Sequence, residues 1–498
     1  MTQRVTVVPA DRIGTINPNL YGHFSEHLGT CIYEGIWVGE DSAIPNQAGI
    51  RLDVVNALRR IHPPVLRWPG GNFADDYHWQ DGIGPRDRRP TRLNLWWDAV
   101  EPNQFGTHEF ITFCRMIGAQ PYLCGNVGSG SPRELREWVE YCNYGGDTTL
   151  TRTRAANGSP EPFGVRYWGV GNENWAAGGS FEGGDYAVEY KRFATFLQDI
   201  GKVPLTLIAC GAYGSDTSWT RSFFEKYTRT PFPGVPRLHG FGVHYYCGTA
   251  GNAIEYTTDQ WYQLLAAGAE IEKVVTIQRA AMDAYDPQRK IGLIIDEWGA
   301  WHPTDEAHHR AHLWQQNTMR DALIAAQTLD TFNRHADKVV MSNIAQMINV
   351  LQSMILTDGP RMLTTPTYHV YDLYQAHQGG QALRLVCEGD MISYCNKQGE
   401  DAELAQLSGS ASLKGDMLTI SLVNASAEAG CTVALNCVGG ELIVEGAQVL
   451  ASGDIHAYNS FDAPDAVKPR ALAVTPVGDA IELELPAASV ARIQAKLA

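Results

Sequence analysis

The feature that most restricts the fold is an alternation that recurs over most of the chain: a short apolar run, then a stretch with helical periodicity. Runs rich in β-branched and aromatic residues centre on 20–24, 65–68, 121–124, 165–170, 205–209, 241–245, 291–295 and 339–342. Between them, helical patterns cover 50–61, 107–117, 132–142, 217–227, 256–284, 309–334 and 366–377. In the remaining interval Tyr186, Tyr190, Phe193, Leu197 and Ile200 share one helix face, with Asp185 as the expected N-cap. Strands that alternate with helices pair in parallel through crossovers. Eight such units favour a closed (β/α)8 TIM barrel over residues 15–378. An open doubly wound sheet would also need a nucleotide fingerprint, and 125–130, though rich in glycine, has neither that spacing nor a P-loop lysine. That loop is expected to let the backbone approach a ligand pocket.

After Gly379-Gly380 the texture changes. Residues 418–422 and 481–485 alternate cleanly and 431–435 more weakly, the pattern of half-buried strands. Residues 379–498 therefore read as an all-β module, a jelly-roll-like sandwich, joined by an N-terminal strand from 1–14. Residues 73–105 have little periodicity, and a connection that long in a barrel is either a functional lid or a solvated insertion.

Bulk properties exclude several function classes. The net charge of -16 argues against nucleic acid and against anionic membranes as partners. No apolar run reaches the roughly 20 residues a membrane span needs. The ten cysteines show no regular spacing and most lie inside apolar runs, as reduced core thiols do. Residues 1–8 lack the apolar core of a secretory signal. A cytoplasmic protein is expected.

Two apolar runs end on carboxylates. Val-Arg-Tyr-Trp-Gly-Val-Gly-Asn-Glu-Asn-Trp closes on Glu173, and Ile-Gly-Leu-Ile-Ile-Asp-Glu-Trp closes on Glu297. A strand buried on both faces accommodates a glutamate only at its end, and the C-terminal rim is where parallel barrels carry their chemistry. A pair of acids there suits glycoside hydrolysis, one protonating the leaving oxygen while the other attacks the anomeric carbon or activates water. The competing reading is that each glutamate is a strand-end residue paired with an arginine. Other signals point elsewhere. His308 and His312 lie four apart, but the glutamate of a zinc-protease helix is missing, so this segment reads as a polar lid. No G-x-S-x-G elbow is present. His244, at the end of the sixth run, fits a core role as well as a pocket role.

At this point the residues resemble a family. The motifs YGHFSEHLG from Tyr21, YEGIWVG from Tyr33, LRWPGGNF from Leu66, GNENW from Gly171, DEW from Asp296 and NIAQMINVL from Asn343 are similar to those of the α-L-arabinofuranosidases of glycoside hydrolase family 51. The resemblance implies a retaining, exo-acting enzyme that needs no metal or other cofactor. It implies Glu173 as acid/base and Glu297 as nucleophile, the latter supported by Arg67 and hydrogen-bonded by Tyr246. Asn172 would bind the sugar 2-hydroxyl, Glu26, Asn72 and Gln346 the other hydroxyls, and Trp97 and Trp301 would wall the pocket. Arabinose-containing oligosaccharides are the implied partners, and a homo-oligomer such as a hexamer the implied assembly. A β-xylosidase or endo-β-glucanase on the same scaffold, and a non-catalytic sugar-binding protein, are the alternatives.

Overall fold

The computed structural model describes residues 2–229, 237–478 and 480–497. Met1, Asp479 and Ala498, which belong to the expected N-terminal strand and C-terminal module, lie outside the described residues, as do 230–236. Eight parallel strands close into a barrel: Gly22–Phe24, Val65–Trp68, Gln120–Gly125, Tyr167–Val170, Thr206–Tyr213, Gly240–Gly248, Gly292–Trp301 and Val339–Ile344. Closure comes from the eighth strand pairing with the first, Asn343 opposite Gly22. Val65, Tyr122, Ile208, Ile294 and Met341, from the second, third, fifth, seventh and eighth strands, form one buried cluster. The strands read as nearly continuous apolar runs because both of their faces are covered, one by this cluster and one by the helices.

The expected strands are all present, with shifted ends. Leu20 and Tyr21 belong to a 3-10 turn, Pro18–Tyr21, capped by the Asn17 side chain, so the first strand starts at Gly22. The helix after the fourth strand runs Gly183–Ala194 and is preceded by Glu182, not capped by Asp185. Asp185 lies in its first turn, where a negative charge favours the exposed N–H groups. Tyr186, Tyr190 and Phe193 form its buried face, while Leu197 and Ile200 lie past its end. The pattern over 256–284 is two helices, Thr258–Ala269 and Ile271–Asp283, broken at Glu270. The pattern over 309–334 becomes helical only at Met319, because Thr318 and Asp321 form a reciprocal capping box there. Before it stands only the short 3-10 turn Arg310–His312. His308 and His312 therefore share no helix face, and His308 instead stacks on Trp314 at 4.1 Å.

Nine C-terminal strands and the N-terminal strand Gln3–Thr15, which lies inside the order, pair into one ten-stranded sheet, while Met391–Cys395 and Asp401–Ala405 form a separate hairpin. The N-terminal strand runs antiparallel to Gln381–Glu388 and parallel to Cys431–Cys437. Alternate residues such as Val5, Val7, Leu418, Ile420, Leu422, Val433, Leu435, Ile481, Leu483 and Ile493 fill a core of their own, as a period of two requires. Helix Met319–Arg334 packs between barrel and sheet, and every residue from Met319 to Asn333 is buried. All ten cysteines are free thiols. Among the described residues no helix is long and apolar enough to cross a membrane.

Candidate active site

Arg67 anchors the rim. It is fully buried on the second barrel strand, and its Nη1 donates to Glu297 Oε1 at 2.9 Å and to the Asp296 carbonyl at 3.2 Å. Its Nη2 donates to Asn172 Oδ1, and the guanidinium lies over the Phe24 ring at 4.7 Å. Burial opposes the cation, but the charges of Asp296 and Glu297 hold it well above its ordinary pKa. Asp296 is fixed in turn by Tyr122 Oη and Asn343 Nδ2, both at 2.8 Å.

Glu297 lies within the seventh strand, which runs on to Trp301 and does not end at the glutamate as the sequence suggests; both its oxygens are engaged, since Oε2 accepts from Tyr246 Oη at 2.8 Å. Glu173 stands just past the fourth strand, where Gly171 turns the chain at φ 83°. A side chain at Gly171 would also collide, because a Cβ there would sit 2.2 Å from Asn174 Oδ1. His244, from the sixth strand, lies between the two acids: its Nδ1 is 2.9 Å from Glu173 Oε1 and 3.6 Å from Glu297 Oε2. One oxygen of Glu173 and one of Glu297 are within 4.8 Å of each other.

The two acids are pushed apart electrostatically. Burial drives the Glu173 carboxyl up and the charge of Glu297 adds to this, outweighing the His244 hydrogen bond, so Glu173 sits above the usual carboxylate range. Burial alone would raise Glu297 as well, but the charges of His244 and Arg67 and the Tyr246 hydrogen bond hold it below that range. Opposed shifts in one pair of carboxyls are the pattern of an acid and a base poised together. Glu26 is pushed up to about 7, by burial first and then by Glu297.

The acids open onto a pocket of about 310 Å³ lined by Glu26, Asn72, Trp97, Glu173, Tyr246, Glu297, Trp301 and Gln346, with Phe24, Leu28, Gly71, Leu313 and Leu351. Glu26 accepts from Trp97 Nε1 at 2.8 Å, from the Phe73 amide at 3.1 Å and from Gln346 Nε2 at 3.0 Å. Gly70 and Gly71 are needed for close approach, since a Cβ on the first would lie 2.5 Å from Glu26 Cγ and on the second 3.1 Å from Glu297 Oε1. Trp301 meets Tyr246 edge-on at 5.1 Å. All the expected residues line the pocket except Arg67, which instead holds Glu297, and Asn172. The Asn172 carbonyl is turned to Arg67, and its Nδ2 is buried without a partner.

The irregular stretch 73–105 proves to be three 3-10 turns and a hairpin, Arg92–Asn94 with Ala99–Glu101, whose tip carries Trp97. The hairpin is tied to the first rim loop: His27 Nδ1 lies 2.7 Å from Glu101 Oε2, and Asn94 Nδ2 donates to the His27 carbonyl at 2.7 Å. Asp75, in the same stretch, carries no sequence signal, yet it holds the acid loop. Its carboxylate accepts from the amides of Asn172 at 2.8 Å, Val127 at 2.8 Å and Gly128 at 3.1 Å. The glycine-rich loop 125–130 therefore wraps Asp75 and does not line the pocket, contrary to expectation. His244 neither fills core nor simply lines the pocket; it bridges the acids. Its only sequence signal is its place near the end of the sixth apolar run, although the strand itself continues to Gly248.

Glu173, His244 and Glu297 are also the group among the described residues whose ligand atoms lie close enough to share a cation. Arg67 and Tyr246 already occupy both oxygens of Glu297, so an ion there would have to displace one of them or share its partner.

Comparison with known proteins agrees with this geometry. Residues 57–248 match the family described as the α-L-arabinofuranosidase 1 domain, and 296–489 the α-L-arabinofuranosidase C-terminal domain. An intracellular exo-α-L-arabinofuranosidase of Bacteroides ovatus is 39% identical over 98% of this chain and 94% of its own. A solved GH51 arabinofuranosidase from Xanthomonas axonopodis pv. citri superposes with a TM-score of 0.95 at 37% identity, over 99% of this chain and 100% of the other. An α-L-arabinofuranosidase from Thermotoga maritima, solved with arabinose, gives 0.87 at 29% identity, with 100% of both chains covered. The chain belongs to the α-L-arabinofuranosidases of glycoside hydrolase family 51.

Proposed function

We propose that this chain removes terminal α-L-arabinofuranosyl residues from arabinose-containing oligosaccharides by double displacement, with retention at the anomeric carbon. The observation that carries this reading is the pair of carboxyl oxygens within 4.8 Å, with opposed pKa shifts, over a pocket of about 310 Å³. Retaining enzymes hold their acids about 5–5.5 Å apart, inverting ones roughly 6.5–9.5 Å to admit a water. Glu297, ionised beside Arg67, attacks the anomeric carbon. Glu173, protonated, gives its proton to the departing oxygen, then takes one from the water that hydrolyses the ester. Glu26, Asn72 and Gln346 hold the ring hydroxyls, and the free Nδ2 of Asn172 is the donor for the 2-hydroxyl. Trp97 and Trp301 wall the pocket, and with Phe24, Leu28, Leu313 and Leu351 they enclose it on several sides, which favours exo action on a terminal sugar over an endo-glucanase.

Two further proposals concern the setting. The chain works inside the cell, as the name of its Bacteroides relative states for that protein, and short oligosaccharides are the substrates that would reach it there. It also assembles as a homo-oligomer, for which the hairpin offers Leu93, Leu95, Trp96 and Val100 as exposed apolar contacts.

The test is proton NMR of the first sugar released, in a panel of arabinofuranoside, xyloside and cellobioside. Arabinofuranoside is turned over fastest, with the α-anomer formed first. Initial formation of the β-anomer contradicts double displacement, and negligible arabinofuranoside turnover contradicts the substrate assignment.

A further inference from the structure

Trp301, which lines the sugar pocket, is the last residue of the seventh barrel strand and is 38% exposed. The chain on either side of it is fixed by side chains that do not line the pocket. Ala300 donates its amide to Gln352 Oε1 at 2.8 Å and accepts at its carbonyl from Gln315 Nε2 at 3.0 Å. The His302 amide donates to Gln315 Oε1 at 2.8 Å, and the buried His302 ring places Nε2 3.0 Å from Asp321 Oδ1. We propose that His302 and Asp321 are positioning residues for the sugar pocket, and that through them the C-terminal β region holds Trp301 against the bound sugar; the proposal rests on the reading of Trp301 as a pocket wall.

The pair is built to hold one geometry. Both side chains are shut off from solvent. The Thr249 hydroxyl donates to the Gly251 carbonyl at 2.7 Å, which leaves its oxygen to accept from His302 Nδ1 at 3.1 Å. His302 then donates through both ring nitrogens, to Thr249 on one side and to the Asp321 carboxylate on the other. Burial alone would raise Asp321, but the charge and hydrogen bond of His302, with Arg320 and the Thr318 amide, hold it below the usual carboxylate range. A buried ion pair is weak evidence of stability, and its best-attested use is to fix one arrangement over others. The arrangement fixed here is the exit from the seventh strand, one residue past the wall.

Both sides of the pair are anchored in the C-terminal β region. Asp321 Oδ2 accepts from the Thr318 amide at 2.7 Å, closing the first turn of helix Met319–Arg334. That turn is stapled to a C-terminal loop: the Met319 amide donates to the Ala457 carbonyl at 3.0 Å, and Thr318 forms a β-bridge with Tyr458. On the other side, Lys397 stands at the exposed turn of the hairpin Met391–Cys395 with Asp401–Ala405, and its Nζ donates to the Thr249 carbonyl at 2.7 Å. Thr249 directly follows the sixth strand, which carries Tyr246, and Trp301 meets that ring edge-on. The C-terminal anchors, His302 and two aromatic residues of the pocket thus form one connected frame.

The experiment measures KM and kcat on nitrophenyl α-L-arabinofuranoside for Trp301→Ala, His302→Ala and the double variant. Trp301→Ala raises KM. His302→Ala raises KM about tenfold, the worth of one aromatic contact, with kcat within about twofold, as lost uniform binding does. Once Trp301 is gone, the same change adds less than about twofold, because the two act as a unit. His302→Gln, whose amide still reaches Asp321, restores most of the loss. Equal increases with and without Trp301, a KM that His302→Ala leaves unchanged, or a fall confined to kcat would each overturn the proposal. Lys397→Ala, at an exposed turn, raises KM about threefold, within what an exposed charged contact contributes, and only while Trp301 is present. It decides the case if His302→Ala fails to fold, and a KM that it leaves unchanged overturns the part given to the C-terminal region. If Trp301→Ala itself leaves KM unaltered, the wall reading fails, and this proposal with it.

Discussion

Asp330 and Glu297 are both buried carboxylates, and the protein satisfies them in opposite ways. At the seam between barrel and sheet, Asp330 Oδ1 accepts from Ser410 and Ser421 at 2.6 Å each, and Oδ2 from Tyr374 at 3.0 Å. Those partners are neutral hydroxyls, and both oxygens are filled. Burial, opposed by these bonds, leaves Asp330 pushed up to about 6. At the rim, Glu297 is held by a guanidinium, a phenol and a histidine beside a second acid. Around it Asn172 Nδ2 and Gln346 Oε1 are buried without partners. A buried polar atom left unpaired costs roughly 1–3 kcal/mol. Where neutral donors saturate an acid, it serves packing. Where charges hold it ionised and neighbouring valences stay open, a ligand is what completes the set.

The sharpest way to break this contrast is to truncate one acid from each cluster. Glu297→Ala lowers kcat/KM about 10⁵-fold, as losing a nucleophile does, whereas Asp330→Asn leaves it within about twofold. Comparable losses from both would erase the distinction. Next in size, Glu173→Ala costs about 10³-fold, in the range of general acid catalysis. The cost shrinks on a dinitrophenyl arabinofuranoside, whose leaving group needs no proton. Equal losses on both substrates would remove Glu173 from that role.

A smaller effect concerns pH. Activity rises as Glu297 ionises, below the ordinary carboxylate range, and falls as Glu173 deprotonates, above it. His244 lowers both groups, so His244→Asn moves both limbs of the kcat/KM profile to higher pH. Static limbs would mean that His244 carries no charge in the free enzyme. The smallest effect belongs to the seam. Asp330 binds its proton more tightly folded than unfolded, so its contribution to stability is greatest below pH 3.8 and declines as pH rises to about 6. Urea unfolding of Asp330→Asn lacks that decline; an identical pH dependence in both proteins would show that Asp330 titrates as it does unfolded.

Glu173 and Glu297 were legible in sequence because an apolar strand tolerates a carboxylate only where it leaves the barrel. Arg67 was legible only through the resemblance, since an arginine inside Leu-Arg-Trp has no meaning until the strand is seen to face two acids. Asp75 was not readable at all. Apart from a long contact from Asn174 Nδ2 at 3.4 Å, its partners are backbone amides on two distant loops, and backbone amides leave no trace in side-chain identity. The same reason misassigned the glycine-rich loop, whose glycines bring N–H groups to Asp75 and not to a sugar. Trp97 was placed in the pocket, but the hairpin that delivers it was invisible, being short strands pinned by the buried His27–Glu101 pair. The start of the helix at Met319 was present in Thr318 and Asp321 and was masked by apolar periodicity upstream.

The central claim is that Glu297 becomes covalently bonded to the sugar. Mixing Glu173→Ala with dinitrophenyl α-L-arabinofuranoside, quenching in acid and mapping the peptides by mass spectrometry tests it directly, because the ester forms readily but lacks the base that hydrolyses it. The account predicts one pentosyl group, carried on Glu297. A pentosyl group on any other residue, or turnover with no adduct and inverted product, would contradict it.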